Sequence, residues 1–420
     1  MTRIRLRILL ATSFAFVALC LSTAIAAGDG AAPASAQTAE SVASAKSQYI
    51  VIAWNDLGMH CISPSFDQMA ILPPYNNLFA QVIKRGNPPS IVTSNVTVEY
   101  SIKKNTTTVG KTNFWQNAQA LFGVNLPQGI GLTGNGLAGS MSLNGTHFEA
   151  RGIPTVPYDD PIQFYPYKKG AVNVRTPSGT VIATTTATIP VSNELHCDKC
   201  HSSGGPGAIG IDTGTVDGNI LTVHDLRSAT DLMAARPVLC ASCHADNALG
   251  TPGTPGVEPL SLAMHGKHAT LGANQPGCYD CHPGQQTQCL RTAIEGMGPV
   301  GTDPKCERCH GSLENVAQTI RDGRQPWLDE PTCAQCHGTS FSTGTALYRN
   351  STDHGGAYCA ACHNSPHAWW PSHLKLDNKQ PNALQGRPEF LGDEGKCKAC
   401  HTTNPGGGGP HGGGGGDILR

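Results

Sequence analysis

Cys197-Asp198-Lys199-Cys200-His201 opens a pattern that recurs six times. The other copies are Cys240, Cys243 and His244; Cys278, Cys281 and His282; Cys306, Cys309 and His310; Cys333, Cys336 and His337; Cys359, Cys362 and His363; and Cys397, Cys400 and His401. Cys-x-x-Cys-His is the attachment pattern for a c-type haem. Two intervening residues let both thiols bond vinyl groups on one edge of the porphyrin, and the next side chain, an imidazole, swings beneath the iron. Zinc ribbons and redox Cys-x-x-Cys pairs use the same thiol spacing. Histidine is 17 of 420 residues, so a chance His after any one pair is roughly a 4% event by composition. It follows every pair, and zinc ribbons do not need it there. The cysteines are read as seven covalent haem c sites, with His201, His244, His282, His310, His337, His363 and His401 as proximal iron ligands.

The N-terminus carries the marks of a secretory signal over residues 1–27. Arg3, Arg5 and Arg7 precede an apolar stretch from Ile8 to Leu21, and Ala24-Ile25-Ala26 is a small-residue cleavage site. A transmembrane anchor fits less well, because Thr12 and Ser13 interrupt the stretch. Cys20 raises a lipoprotein reading, which Leu19 before it disfavours. No later segment is apolar enough to span a bilayer. Export suits covalent haem attachment, which belongs to an oxidising compartment, so the expected location is the periplasm, the outer-membrane surface or the medium.

Lys plus Arg number 29 and Asp plus Glu 30, a near-neutral balance that points to neither nucleic acid nor an acidic membrane surface. Charged residues are only 14%, against 49 Gly and 30 Pro, which predicts much irregular backbone and few long helices.

Residues 28–46 are rich in Ala, Ser and Gly and read as a flexible leader. Residues 47–191 hold no haem motif and are dense in strand signals. Tyr49-Ile50-Val51-Ile52-Ala53-Trp54 is a short apolar run of the buried-strand type. Val96, Val98, Tyr100 and Ile102 alternate with Thr97, Glu99 and Ser101, as in a half-buried strand. From Ala171 to Val191, two Val- and Thr-rich runs flank a Pro177-Ser178-Gly179 turn and read as a hairpin. An all-β, immunoglobulin-like sandwich is the expectation for this part.

Residues 192–404 are expected to be a loop-rich multihaem domain with short helices, followed by a Gly-rich flexible tail at 405–420. The motifs span about 205 residues, or roughly 29 per haem, far too few for a separate protein core around each. The porphyrins must then supply the interior themselves. Motif intervals run from about 26 to about 43 residues with no fixed period, which excludes a solenoid of identical units.

The second axial ligand separates a carrier from a catalyst. Ten histidines lie outside the motifs. His196, His224, His265, His354, His367 and His373 are expected as distal ligands, and His268 and His411 are further candidates. His60, in the turn Asn55-Asp56-Leu57-Gly58-Met59-His60-Cys61, is equally open to a haem-ligating and a structural role. His147 reads as an ordinary surface residue. Met233, Met264 and Met297 are alternative thioether ligands, disfavoured by the surplus of histidine. Cys61 and Cys289 stand outside the motifs, and in an exported chain they favour a disulfide over two buried thiols.

The chain resembles exported multihaem c-type cytochromes of bacteria that respire on metals or other external acceptors. The likeness is carried by the seven motifs and by phrases such as Arg236-Pro237-Val238-Leu239-Cys240-Ala241-Ser242-Cys243-His244, Cys278-Tyr279-Asp280-Cys281-His282-Pro283-Gly284 and Tyr358-Cys359-Ala360-Ala361-Cys362-His363. It implies bis-histidine haems in close series, passing single electrons to other redox proteins or external acceptors, with no catalytic residues. Two alternatives stay open. One is a multihaem reductase of a nitrogen or sulfur oxyanion, which needs an open-coordinate iron. The other is a subunit of an extracellular cytochrome filament, which would self-assemble.

Overall fold

The computed structural model describes residues 47–293, 304–332, 347–387 and 396–405. The expected signal and leader, Met297, His411 and the tail beyond Pro405 lie outside the described residues. So does the whole fifth motif, Cys333, Cys336 and His337, whose reading as a haem site therefore rests on sequence.

The run at Tyr49–Trp54 is strand β1. Strands β2 (His60–Cys61), β3 (Asn77–Lys84), β4 (Ser90–Ile91) and β5 (Thr97–Lys103) follow. Next come β6 (Ala138–Ser140), β7 (Ser142–Asn144), β8 (His147–Arg151), β9 (Tyr167–Arg175) and β10 (Val181–Ser192). One sheet has the order β1-β3-β8-β7, with β4 also on β3; the other runs β2-β10-β9-β5-β6. All pairings are antiparallel except that of β2 with β10.

The alternation seen in the sequence appears as geometry in β5. Val98, Tyr100 and Ile102 are buried while Thr97, Glu99 and Ser101 are not. They share one apolar core with Val51, Ala53, Leu78, Ala80 and Val82 of the first sheet and Val172, Val174 and Ile189 of the second. The β9–β10 hairpin is present and closes through Thr176–Thr180, with Gly179 at φ +87°. That left-handed turn conformation favours glycine. Strand β9 starts earlier than the expected Val172, at Tyr167.

Strand β1 is apolar on both sides for a reason. Val51 and Ala53 face the shared core, whereas Ile50, Ile52 and Trp54 pack with Phe79, Ile83, Ala360, Ala361 and Leu384. The strand is thus covered by the second sheet on one face and by haem-motif segments on the other, the burial that produces an unbroken apolar run. The Gln380 side chain accepts from the Ala53 N–H at 2.8 Å and donates to its carbonyl at 2.9 Å, adding a polar latch to this contact.

Past β10 the chain is mostly turns and short helices: α2 (Val216–Ser228), α3 (Leu260–His268), α4 (Pro304–His310), α5 (Leu313–Arg321) and α6 (Lys379–Gln385), after α1 (Phe114–Phe122) among the strands. High Gly and Pro content and low charge leave little sequence able to sustain a long helix. Among the described residues, no helix is long and apolar enough to cross a membrane.

Candidate haem sites

Each described motif makes a tight turn or a helical turn that brings its His back towards its first Cys. His201, His244, His282 and His401 each donate a backbone N–H to the carbonyl of their motif's first Cys, at 2.8, 3.1, 2.8 and 2.9 Å. Cys359–His363 is itself a helical turn, and Cys306, Cys309 and His310 lie in the last turns of α4. The two cysteines and the histidine of a motif thus leave the backbone within little more than one turn. Cys243, Cys309 and Cys397 are exposed, whereas the other described motif cysteines are half-buried. An exposed cysteine leaves its thiol open to a porphyrin arriving from outside the turn, which is what attachment requires of it.

The histidines outside the motifs then fall opposite those inside. His201 faces His268 with ring centroids 6.4 Å apart. His244 faces His224 at 6.2 Å, and His282 faces His265 at 6.2 Å. His310 faces His367 at 6.2 Å, and His401 faces His354 at 5.9 Å. A ligating imidazole nitrogen stands about 2 Å from its metal and the ring centroid about 1 Å beyond, so two imidazoles on opposite faces of one iron have centroids about 6 Å apart. Every one of these pairs joins one motif His to one non-motif His at that separation.

Second contacts orient the rings. Carbonyl oxygens only accept, so Nδ1 of His244 donates to Glu258, Nδ1 of His265 to Ser261 and Nδ1 of His268 to Met264, each at 2.7 Å. The Thr230 hydroxyl donates to Asp225 and so accepts from Nδ1 of His224 at 2.9 Å. With Nδ1 protonated, the lone pair is on Nε2, the arrangement that metal-ligating histidines use. Nε2 of His401 is buried without a hydrogen-bond partner, as a nitrogen reserved for a metal should be. The residues present fit a bis-imidazole haem.

Burial, followed by the charges of neighbouring histidines, holds His282 and His310 down to about 4. Both residues nevertheless keep exposed surface. The neutral ring is the form that binds a metal. Burial also pushes the thiols of Cys240, Cys281 and Cys400 up to about 11 and that of Cys362 to about 12. Redox Cys-x-x-Cys pairs have lowered thiol pKa values.

Other candidates are placed differently. His196 lies against Glu194, Nε2 to Oε1 at 3.1 Å, and that carboxylate also accepts from the backbone of Gln285, Gln286 and Thr287. His373 is exposed. His60 is buried with Nε2 2.7 Å from Asp56 Oδ1, and Asp56 also accepts from Asn77. Burial alone would raise the Asp56 carboxyl, but His60 and Asn77 hold it below its usual value.

Two expectations are corrected. His147 is not a surface residue: it is 7% exposed, ringed by Trp54, Phe79 and Tyr358, with Tyr358 at 4.8 Å. Strand β8 turns it towards the face of β1 that meets the haem-motif segment, a tertiary contact invisible in local sequence. Cys61 and Cys289 are free thiols rather than a disulfide. Cys289 Sγ lies instead 3.7 Å from Nδ1 of His367.

One supporting residue had no signal in the sequence. Arg291 is 1% exposed and meets Asp377 at 2.8 Å, the Gly58 carbonyl at 2.7 Å and the His367 carbonyl through its own N–H at 2.6 Å. It therefore clamps the Asn55–Cys61 turn to the segment bearing His367. At Gly58, φ +85°, a Cβ would stand 2.0 Å from the Pro366 carbonyl oxygen, so only glycine permits that approach.

Residues 324–402 match the family model of cytochrome c7 and related cytochrome c. That stretch, which holds the last three motifs, is a cytochrome c7-like multihaem c-type cytochrome domain, and such a domain implies covalently bound haem c and redox partners. No curated protein matches the chain. Among solved structures, MtrC from Shewanella baltica OS185 is similar at 15% identity and a TM-score of 0.14, over 69% of this chain and 44% of that one. The chain thus spans less than half the length of that protein, and a likeness so weak carries no argument.

Proposed function

We propose that the chain is an exported carrier of single electrons, holding one haem c at each of its seven Cys-x-x-Cys-His motifs. The observation that carries this is the set of five imidazole pairs at 5.9–6.4 Å, each joining a motif His to a partner from elsewhere. Two imidazoles would hold a haem iron from both sides, which would leave it nowhere to bind substrate and suit it to electron transfer. His201, His244, His282, His310 and His401 are then proximal, with His268, His224, His265, His367 and His354 respectively distal. When bound, haem supplies the one-electron chemistry. The chain supplies thioether anchors, among them Cys309 and Cys336, together with oriented imidazoles and a low-dielectric surround.

On this reading residues 47–191 are an immunoglobulin-like module and 192–404 the haem-bearing part. The burial of β1 against Ala360 and Ala361 supports the first as a platform for the second. The donor and acceptor are other redox proteins or external acceptors.

The test is the mass and spin state of the exported protein. Seven added haems and an oxidised spectrum that is low-spin at the five paired sites are expected. A mass equal to the bare polypeptide overturns the reading, and a high-spin signal from those sites turns it towards the reductase.

A further inference from the structure

We propose that the haem sites lie in space in the order second, first, third, fourth, sixth, seventh, because single short segments each serve two sites. This deepens the electron-carrier reading and rests on it. The fifth motif is outside the described residues, and the order concerns the other six.

The first two sites share α2. Asn219 Nδ2 donates to the His201 carbonyl of the first motif at 2.8 Å, while His224 of the same helix faces His244 of the second. Five residues of helix rise only about 7.5 Å.

First and third sites share α3. His265 faces His282 and His268 faces His201, and the two lie three residues apart. Three residues rise about 4.5 Å and place both side chains on neighbouring positions of one helical surface. Lys199, inside the first motif, also ion-pairs with Asp280, inside the third. The first site therefore sits between the second and the third, which chain order does not imply.

Helix α3, which bears His265 of the third site, packs on α5, which starts three residues past His310 of the fourth: a Cβ on Gly266 would stand 3.0 Å from the Arg321 guanidinium. The fourth site takes its distal ring from His367, four residues beyond His363 of the sixth motif. The seventh takes its own from His354, five residues before Cys359 of the sixth. Helix α6 closes that last link. Gln385 Nε2 donates to the Cys362 carbonyl at 3.0 Å, and the Gln385 carbonyl accepts from Lys396, next to Cys397, at 2.8 Å.

Among the six described sites, the ends of the series are then the second and the seventh. The seventh meets the sheets, where Thr402 N–H donates to the Gly86 carbonyl at 3.0 Å and Arg85 donates to that of Lys398 at 2.6 Å.

The test uses the haem-loaded full protein and paramagnetic resonance. His265→Ala and His268→Ala should each turn one iron high-spin without loss of haem mass. In the double variant the two high-spin signals should broaden one another, since the sites share a helix. In His268→Ala/His354→Ala, which opens the first and seventh sites, the signals should stay sharp. Irons that remain low-spin in either single variant, or equal broadening in the two doubles, overturn the proposed order. If a double variant sheds haem, His265→Met/His268→Met keeps a ligating atom. Its two altered haems should shift each other's midpoint, while those of His268→Met/His354→Met titrate independently; the reverse overturns the order. A wild-type protein without covalent haem would instead overturn the electron-carrier reading, a separate outcome read from mass alone.

Discussion

His268 and His373 are the same residue type close to haem motifs, yet the fold treats them differently. His268 lies in α3, its Nδ1 bound to a carbonyl one turn back and its other edge towards His201. His373 lies exposed after the sixth motif. Composition puts both in the pool of candidates, and backbone direction separates them. Replacement of a ring that faces a motif should therefore be site-specific: His244→Ala is expected to destabilise one haem and slow end-to-end electron flow. Unchanged haem spectra and transfer kinetics would deny His244 its ligand role. Arg291 allows a sharper energetic statement. Removing one partner of a buried, hydrogen-bonded ion pair costs about 3–5 kcal/mol, so Asp377→Ala should lower stability by that order in denaturant unfolding, while surface substitutions do not. Asp160 supplies the pH dependence. Burial would raise its carboxyl, but hydrogen bonds from Lys111 and Thr106 outweigh this and hold it at about 2 against 3.8. A carboxyl with a lowered folded-state pKa contributes stability above the unfolded value and loses it as pH falls through the folded one. Between pH about 4 and about 2 the wild type should lose more of its thermal stability than Asp160→Asn does; equal losses would refute the assignment.

Strand β1 and helix α3 show what a single element can and cannot announce. The six-residue apolar run at Tyr49–Trp54 predicts a buried strand, and the reason it is buried on both faces is that motif segments cover the side away from the sheets. Ile52 belongs to that outer face. Truncating a buried Ile typically costs about 2–5 kcal/mol, and Ile52→Ala should show such a loss together with a spectral change in the sixth or seventh haem. Val51→Ala, on the side of the core shared by the two sheets, should destabilise without the spectral change. If both substitutions leave the haems untouched, β1 does not support them. Helix α3 is only nine residues long. Its sequence advertises two histidines three apart, but which imidazole each one faces depends on segments before and after it in the chain.

At the scale of the molecule, His282 and His310 keep exposed surface although surrounding protein favours their neutral form. Among the described residues, the largest apolar core draws only on the strand-rich part of the chain. Protein produced without haem attachment should therefore lose the order of residues 192–404 first. Limited proteolysis is expected to cut there while sparing the strands of 47–191, whose core is built from their own side chains. Cleavage at similar rates throughout would contradict a haem-built interior.

The sequence alone determined the proposed attachment points, because two thiols and an imidazole that grip one haem lie within five consecutive residues. It also determined the strand periodicity, because alternation along a pleat is a local property. Tertiary structure decided everything that a distant segment supplies: the second imidazole of each pair, the burial of His147 and Arg291, and the free state of Cys61 and Cys289. A ring opposite an iron needs only to arrive at the right point in space, and no local spacing records the route by which the chain brings it there.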